Sequence, residues 1–203
     1  MPTTNNKVKF GIKNCYYAVA TIADDGSATY ASPVALKGAV SLSLEAQGDN
    51  SPFYADDITY YMSAANSGYQ GDLELALIPD SFKKDVLGYA EDTNGILYED
   101  ADAEPKHFAL IFEFSGDKHA TRHVMYNCTA TRPATGSTTI AESKEPQTES
   151  TTITATPIYN AALEKNIVKA SCTPDQTAQY SAWNTAVYQA AANKVRRRNE
   201  GNN

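Results

Sequence analysis

Alternation of apolar and polar residues is the strongest pattern in this chain, and it predicts a protein built mainly from β-strands. Residues 39–46 alternate strictly between three apolar and three polar side chains, namely Val40, Leu42 and Leu44, and Ser41, Ser43 and Glu45. Because successive side chains of a strand point to opposite faces, one face should be buried and the other wet. Extended segments are likewise predicted over residues 15–23, 29–35, 57–63, 68–78, 108–115, 119–130 and 151–158.

The segment at residues 108–115 has the most apolar face of all these strands. Its aromatic and aliphatic side chains at every second position are Phe108, Leu110, Phe112 and Phe114. Gly116 and Asp117 then supply a turn, so residues 119–130 should return alongside it. We expect this long hairpin to form the centre of the core.

A short helix is predicted where Pro79 ends the strand before it. Asp80 or Ser81 can accept hydrogen bonds from the first free amides as N-cap, and Gly88 can end the helix. Phe82 and Val86 lie four residues apart and therefore share one helical face. The apolar stripe is narrow, so the helix should pack these two side chains on a sheet.

A second helix is predicted after residue 173. Thr173, Pro174, Asp175 and Gln176 together have the composition of a capping box. Tyr180, Trp183 and Val187 would then share a stripe.

Three polar segments interrupt these elements. The acidic residues 91–104 predict a solvated loop, and residues 47–52 a break between strands. Residues 132–150 are rich in Thr and Ser and lack the apolar content that burial requires, which predicts a surface arm. Residues 191–203 carry three consecutive arginines and predict a flexible basic tail after a single domain at residues 1–190.

Composition excludes several classes of function. The chain has 203 residues, with 24 Asp and Glu against 17 Lys and Arg, and a formal charge of −7. Lys and Arg supply much of the affinity of proteins for phosphates, so tight DNA binding is disfavoured. Residues 1–13 lack the apolar core of a signal peptide, and the longest uncharged stretch, residues 176–193, is too polar to span a membrane.

No motif for catalysis, metal or cofactor binding stands out. His119 and His123 would lie about 13 Å apart along a strand, too far to share a metal ion. The three cysteines are far apart and should be buried apolar side chains. We therefore expect no enzyme, no cofactor and no metal. The many tyrosines could stack on sugars or lie at subunit interfaces, and the sequence leaves both open.

Three blocks of sequence carry a resemblance to a known family. They are GYQGDLELALIPDSFKKDVLGY at residues 68–89, FALIFEFSGDKHATRHVMYNCTATRP at residues 108–133 and TTITATPI at residues 151–158. In this order they resemble the major tail protein, or tail tube protein, of long-tailed bacteriophages of the phi13 type. The resemblance covers residues 7–188, and residues 141–149 and the chain after Ala192 depart from it.

The resemblance implies a β-sandwich with a flanking short helix and an extended hairpin or arm. It further implies a structural virion protein that assembles with itself into stacked hexameric rings, through which DNA is ejected without specific binding. The implied partners are tape-measure, tail-terminator and distal tail proteins. The implied location is the virion tail, preceded by the host cytoplasm, with no membrane association.

Within that expectation, the strands at residues 39–46 and 57–63 would join an inner barrel, with Ser41, Ser43 and Glu45 facing the channel. The arm at residues 132–150 would contact the next ring. A monomeric carbohydrate-binding or adhesin module is the alternative, suggested by the tyrosines and by Trp183.

Overall fold

The computed structural model describes residues 10–139 and 146–192. Strands dominate them, which confirms the prediction of a mostly β protein. The strands are β1 (Phe10–Ile22), β2 (Ala28–Tyr30), β3 (Val34–Ala35), β4 (Ala39–Gln47), β5 (Asn50–Ala55), β6 (Ile58–Ala64), β7 (Gly68–Leu75), β8 (Ala90–Glu91), β9 (Leu97–Tyr98), β10 (Phe108–Ser115), β11 (Arg122–Ala130), β12 (Glu149–Ala155), β13 (Ile158–Asn160), β14 (Lys165–Ile167) and β15 (Lys169–Cys172). The two helices are α1 (Asp80–Asp85) and α2 (Thr177–Ala182).

Nine of the strands form one antiparallel sheet. Seven lie in the order β2-β1-β10-β11-β12-β7-β4, with β3 also beside β1 and β15 also beside β11. The sheet curls, because the start of β1 and the start of β4 line one cleft although they lie far apart in this order. The other strands form three two-stranded ribbons, β5–β6, β8–β9 and β13–β14.

Strand β10 is central, as its sequence predicts. It pairs with β1 on one side and β11 on the other, and its first five residues are at most 5% exposed. Leu110 belongs to a core inside the curl, whereas Ile111 belongs to a second core that includes Trp183. Because both faces of β10 are covered, the strand is apolar at nearly every position.

Helix α1 covers the inner core with Phe82, and Val86, directly after the helix, packs in the same core. Both side chains are fully buried. The predicted cap is wrong, because Pro79 is the N-cap and no side chain caps the helix. Proline fixes its own φ near the value required and has no N–H to leave unsatisfied.

Helix α2 also begins later than predicted, with Gln176 as N-cap in place of Thr173. The reciprocal contact of the predicted box still forms, since the Thr173 N–H donates to Gln176 Oε1 at 2.8 Å. This contact closes a turn ahead of the helix. The predicted helical stripe is wrong in part, because α2 ends at Ala182 and Trp183 and Val187 lie beyond it; Tyr180, Trp183 and Val187 nevertheless all contribute to the second core.

Several boundaries differ from the sequence-based prediction. The return strand predicted at residues 29–35 is split into β2 and β3. The break predicted at residues 47–52 is shorter, because β5 begins at Asn50. Residues 151–158 belong to two strands, β12 and β13, with Thr156 and Pro157 between them. The acidic residues 91–104 include the second strand residue of β8 and all of β9. The predicted arm loses its last two residues to β12, and residues 140–145 of it lie outside the described residues.

Candidate assembly surfaces

Three adjacent strands build a polar face from nine side chains. The pairings of β4 with β7 and of β7 with β12 align them in three rows, Ser41–Glu74–Ser150, Ser43–Asp72–Thr152 and Glu45–Gln70–Thr154. All nine are exposed or half-buried. We call this surface the polar face. It exists because each strand alternates and the register brings the polar positions of all three strands to the same side.

Hydroxyl groups hold the carboxylates of the polar face. Glu74 accepts a hydrogen bond from Thr148 Oγ1 at 2.5 Å and another from Ser41 Oγ at 2.8 Å. These two bonds lower the pKa of Glu74, since they favour its ionised form. Asp72 accepts from Thr152 Oγ1 at 2.8 Å. The face is therefore a fixed array of anions and hydroxyls.

The charge of the polar face has one sign. Its carboxylates are Glu45, Asp72 and Glu74, and the strands β4, β7 and β12 contain no Lys or Arg. A surface of this kind repels polyanions at a distance. The sequence pointed to Ser41, Ser43 and Glu45, and it missed the partners on β7 and β12. Those strands show the same alternation, but their register with β4 depends on contacts distant in sequence.

Strand β4 lies at one edge of the large sheet. Among the described strands β4 pairs only with β7, so the amide and carbonyl groups of its outer edge have no strand partner there. Such an edge can pair with another chain. The other strand that we expect in the inner barrel, at residues 57–63, corresponds to β6, which pairs with β5 in a two-stranded ribbon.

The ribbon β5–β6 exposes apolar side chains. Ile58, Tyr60 and Tyr61 are 62%, 70% and 63% exposed. Exposed apolar side chains grouped on one element are typical of a contact surface.

The remaining candidates of the sequence analysis do not form a site. His119 lies in the turn before β11, and His123 stacks on Phe112 with ring centroids 5.2 Å apart. Within residues 10–139 and 146–192 no group of metal-ligating side chains occurs. All three cysteines are buried, as predicted. Trp183 is 2% exposed and stacks on Tyr188, so it offers no surface to a sugar.

Comparison with known proteins identifies the family. A family model described as phage tail tube protein matches residues 2–193. The chain belongs to the phage tail tube protein family. A comparison with curated proteins gives no match. Among solved structures, the chain is similar to the anti-feeding prophage cap, described as a tube terminating cap, with 12% identity and a TM-score of 0.40, over 85% of this chain and 99% of that chain.

Family membership settles the broad function. The chain is a structural protein of the phage tail and is not an enzyme, and its place is the virion. None of the helices in the described parts of the chain is long and apolar enough to cross a membrane.

Proposed function

We propose that this chain is the major repeating subunit of the tail tube. In this proposal six copies form a ring, rings stack around a tape-measure protein, and DNA leaves the capsid through the channel. The observation that carries the proposal is the polar face on β4, β7 and β12, which combines a single sign of charge with an open strand edge at β4.

Ring closure follows from that edge. A ring needs a head-to-tail contact between two different surfaces of identical chains. Pairing of the β4 edge with a strand of the next copy would continue the sheet and satisfy backbone donors and acceptors. The polar faces of neighbouring copies would then join into one continuous surface, which we place towards the channel.

The negative charge of the chain would keep DNA from binding to the channel wall. Each chain has a formal charge of −7, so a ring of six copies has a formal charge of −42. Anions that face the channel repel DNA phosphates, and the absence of Lys and Arg on β4, β7 and β12 removes the groups that would hold them. DNA could therefore slide without being retained.

Other parts of the chain serve stacking and the tail's remaining contacts. We assign the polar arm, predicted at residues 132–150 and ending where β12 begins at Glu149, to the contact between rings. We expect tail-terminator and distal tail proteins at the two ends of the tube. Residues 1–190 would act as one domain, with the basic residues 191–203 as a tail. Before assembly the chain would reside in the host cytoplasm.

Sedimentation and negative-stain electron microscopy of the purified chain over a range of concentrations test this function. The proposal predicts annular or tubular particles of regular bore that increase with concentration. A chain that stays monomeric at high concentration, even beside its tape-measure protein, would contradict it and favour the monomeric carbohydrate-binding alternative.

A further inference from the structure

The ribbon β5–β6 is the outer half of one long hairpin. The backbone ladder runs on from β4–β7, since the Ser67 N–H donates to Gln47 O at 2.9 Å and the Ala65 N–H donates to Asp49 O at 3.3 Å. Beyond this point β5 and β6 pair only with each other. Six residues at about 3.4 Å each carry the tip roughly 20 Å beyond the curled sheet.

The tip of this hairpin combines charge with apolar surface. Asp56 and Asp57 form the two-residue turn, with φ of 52° and 56°, and both are exposed. Both values suit a tight hairpin turn, and Asp tolerates them better than most residues. Ile58 follows the turn directly, and Tyr60 lies at a β-bulge, since Tyr54 pairs with Thr59 and Phe53 with Tyr61; Ile58 and Tyr60 are 62% and 70% exposed. The tip is therefore an acidic turn beside an exposed apolar flank.

A cleft in the curled sheet is lined by apolar side chains and a lysine, which complement the apolar flank and the acidic turn of the hairpin tip. Its volume is about 420 Å³, and apolar side chains from opposite walls line it, among them Leu42, Leu44, Phe112 and Met125. His123 and Lys169 also line it, and Lys169 Nζ lies 4.5 Å from the ring centroid of Tyr69. Leu42 and Leu44 point to the opposite side of β4 from the polar face, so the cleft and the polar face can act together.

The hairpin does not line the cleft of its own copy, since none of the cleft's lining residues in the described parts of the chain belongs to β5 or β6. Tyr69 lines the cleft and directly follows Gly68, where the outer hairpin begins. Backbones approach closely at this bend, because a Cβ on Gly48 would lie 1.9 Å from Ala65 O and one on Gly68 would lie 1.9 Å from Ala155 O. The close approaches restrict both positions to glycine, and the tip residues Asp56, Asp57 and Ile58 are exposed and accessible to another molecule.

We propose that the tip at Asp56, Asp57 and Ile58 inserts into this cleft on a second copy of the chain. Ile58 would enter between the apolar walls, and the Asp57 carboxylate would approach Lys169. Each copy offers one tip and one cleft, so the contact is head-to-tail and can repeat around a ring or along a tube. This inference rests on the proposed function and names one of its subunit contacts.

Crosslinking between two variants tests the contact directly. Ile58→Cys and Lys169→Cys are prepared as separate full-length proteins, mixed and oxidised; a disulfide forms only if the two Cα atoms come within about 7 Å. The native cysteines are at most 5% exposed and should not compete. Because Ile96 is 61% exposed and lies elsewhere, Ile96→Cys mixed with Lys169→Cys is the matched control.

The expected result is a disulfide-linked dimer that contains one copy of Ile58→Cys and one of Lys169→Cys. The yield of the corresponding dimer with Ile96→Cys should be at least tenfold lower. Particles that assemble normally without this crosslink would overturn the inference and leave the proposed function standing. If no particles assemble from the unaltered chain, the proposed function itself fails.

A second variant tests the apolar contribution. Ile58→Asp should raise the concentration needed for assembly about tenfold or more, since burial of a side chain of this size is lost. Ile96→Asp makes the same change at equal exposure and should leave assembly unchanged. Equal effects of the two variants, or no effect of Ile58→Asp, would contradict the inference; circular dichroism verifies that both variants are folded.

Discussion

At the scale of single residues, Phe82 makes the most specific contacts of helix α1. Its ring packs perpendicular to the rings of Tyr17 and Phe108, with centroids 5.1 Å and 5.5 Å apart. Edge-to-face pairs of this kind add to the free energy of burial. A short helix without a side-chain cap therefore depends on this side chain for its position on the sheet.

Phe82→Ala should lower the free energy of unfolding by about 3–5 kcal/mol, because it leaves a cavity in the inner core. Urea denaturation followed by circular dichroism measures the change. Lys84→Ala, at an exposed position of the same helix, should lower the free energy of unfolding far less, because water screens its ion pair with Glu91. A loss below about 1 kcal/mol for Phe82→Ala would show that α1 does not anchor the core.

Buried thiols and phenols make the fold sensitive to alkali. Burial raises the pKa of Cys15 and of Cys128 from 9.0 to about 12, and burial raises the pKa of Tyr17 from 10.0 to about 12, with a further increase from its hydrogen bond to Asp85. Between the ordinary and the raised pKa the folded chain binds more protons than the unfolded chain. Stability is therefore complete below about pH 9 and falls as the pH rises towards 12.

The melting temperature should accordingly decline steadily from pH 9 to pH 12. Cys128→Ala removes one of these groups, so the slope of its decline should be shallower than that of the unaltered chain. Parallel slopes for the two proteins would contradict the assignment of Cys128 to this effect.

At the scale of elements, alternation was sufficient to find β4, β10 and β11 as strands. The buried face predicted for residues 39–46 is wrong, because Val40 is 46% exposed and Leu42 and Leu44, which line the cleft, are only half-buried. Phe82 and Val86, four residues apart, are both fully buried, and Val86 directly follows α1. The polar face as a whole was not predictable, since the alignment of Ser43 with Asp72 and Thr152 depends on pairing between segments about 30 and 80 residues apart. Local patterns carry no information about such register.

Smaller elements escaped prediction for a different reason. The ribbon β8–β9 has two residues in each strand, and it is organised by Asp92, whose Oδ1 accepts from the N–H groups of Asn94 and Ile96 at 2.8 Å. An acidic turn sequence is compatible with either a loop or such a ribbon. The tip of β5–β6 is similar, since its two aspartates form the turn where glycine or asparagine is more usual.

The polar arm is the element that we assign to stacking. Replacing residues 134–146 with Gly and Ser of equal number removes its sequence while keeping Thr148, which bonds to Glu74, and the start of β12. The variant should form rings or smaller particles but no tubes, as seen by electron microscopy. A matched replacement of exposed residues 100–102 should leave tubes intact. Full-length tubes from the arm variant would refute the assignment.

At the scale of the whole molecule, the acidity of the polar face should govern DNA passage. Glu45→Lys places a cation on that face, and in a ring it would place six in the channel. Tubes should form normally while DNA ejection slows, because lysines bind phosphates. Ejection can be followed in phage carrying the variant, with Glu104→Lys, in the exposed loop before β10, as control. Normal ejection with Glu45→Lys would place the polar face outside the channel.

In the proposed tube, copies of this chain surround a channel with the polar face inside. Cryo-electron microscopy of tubes reconstituted from the full-length chain tests it most directly. We predict six copies per ring, with Ser41, Ser43 and Glu45 of every copy on the inner wall. A tube whose inner wall is built from other strands, with β4, β7 and β12 on its outer surface, would contradict the claim.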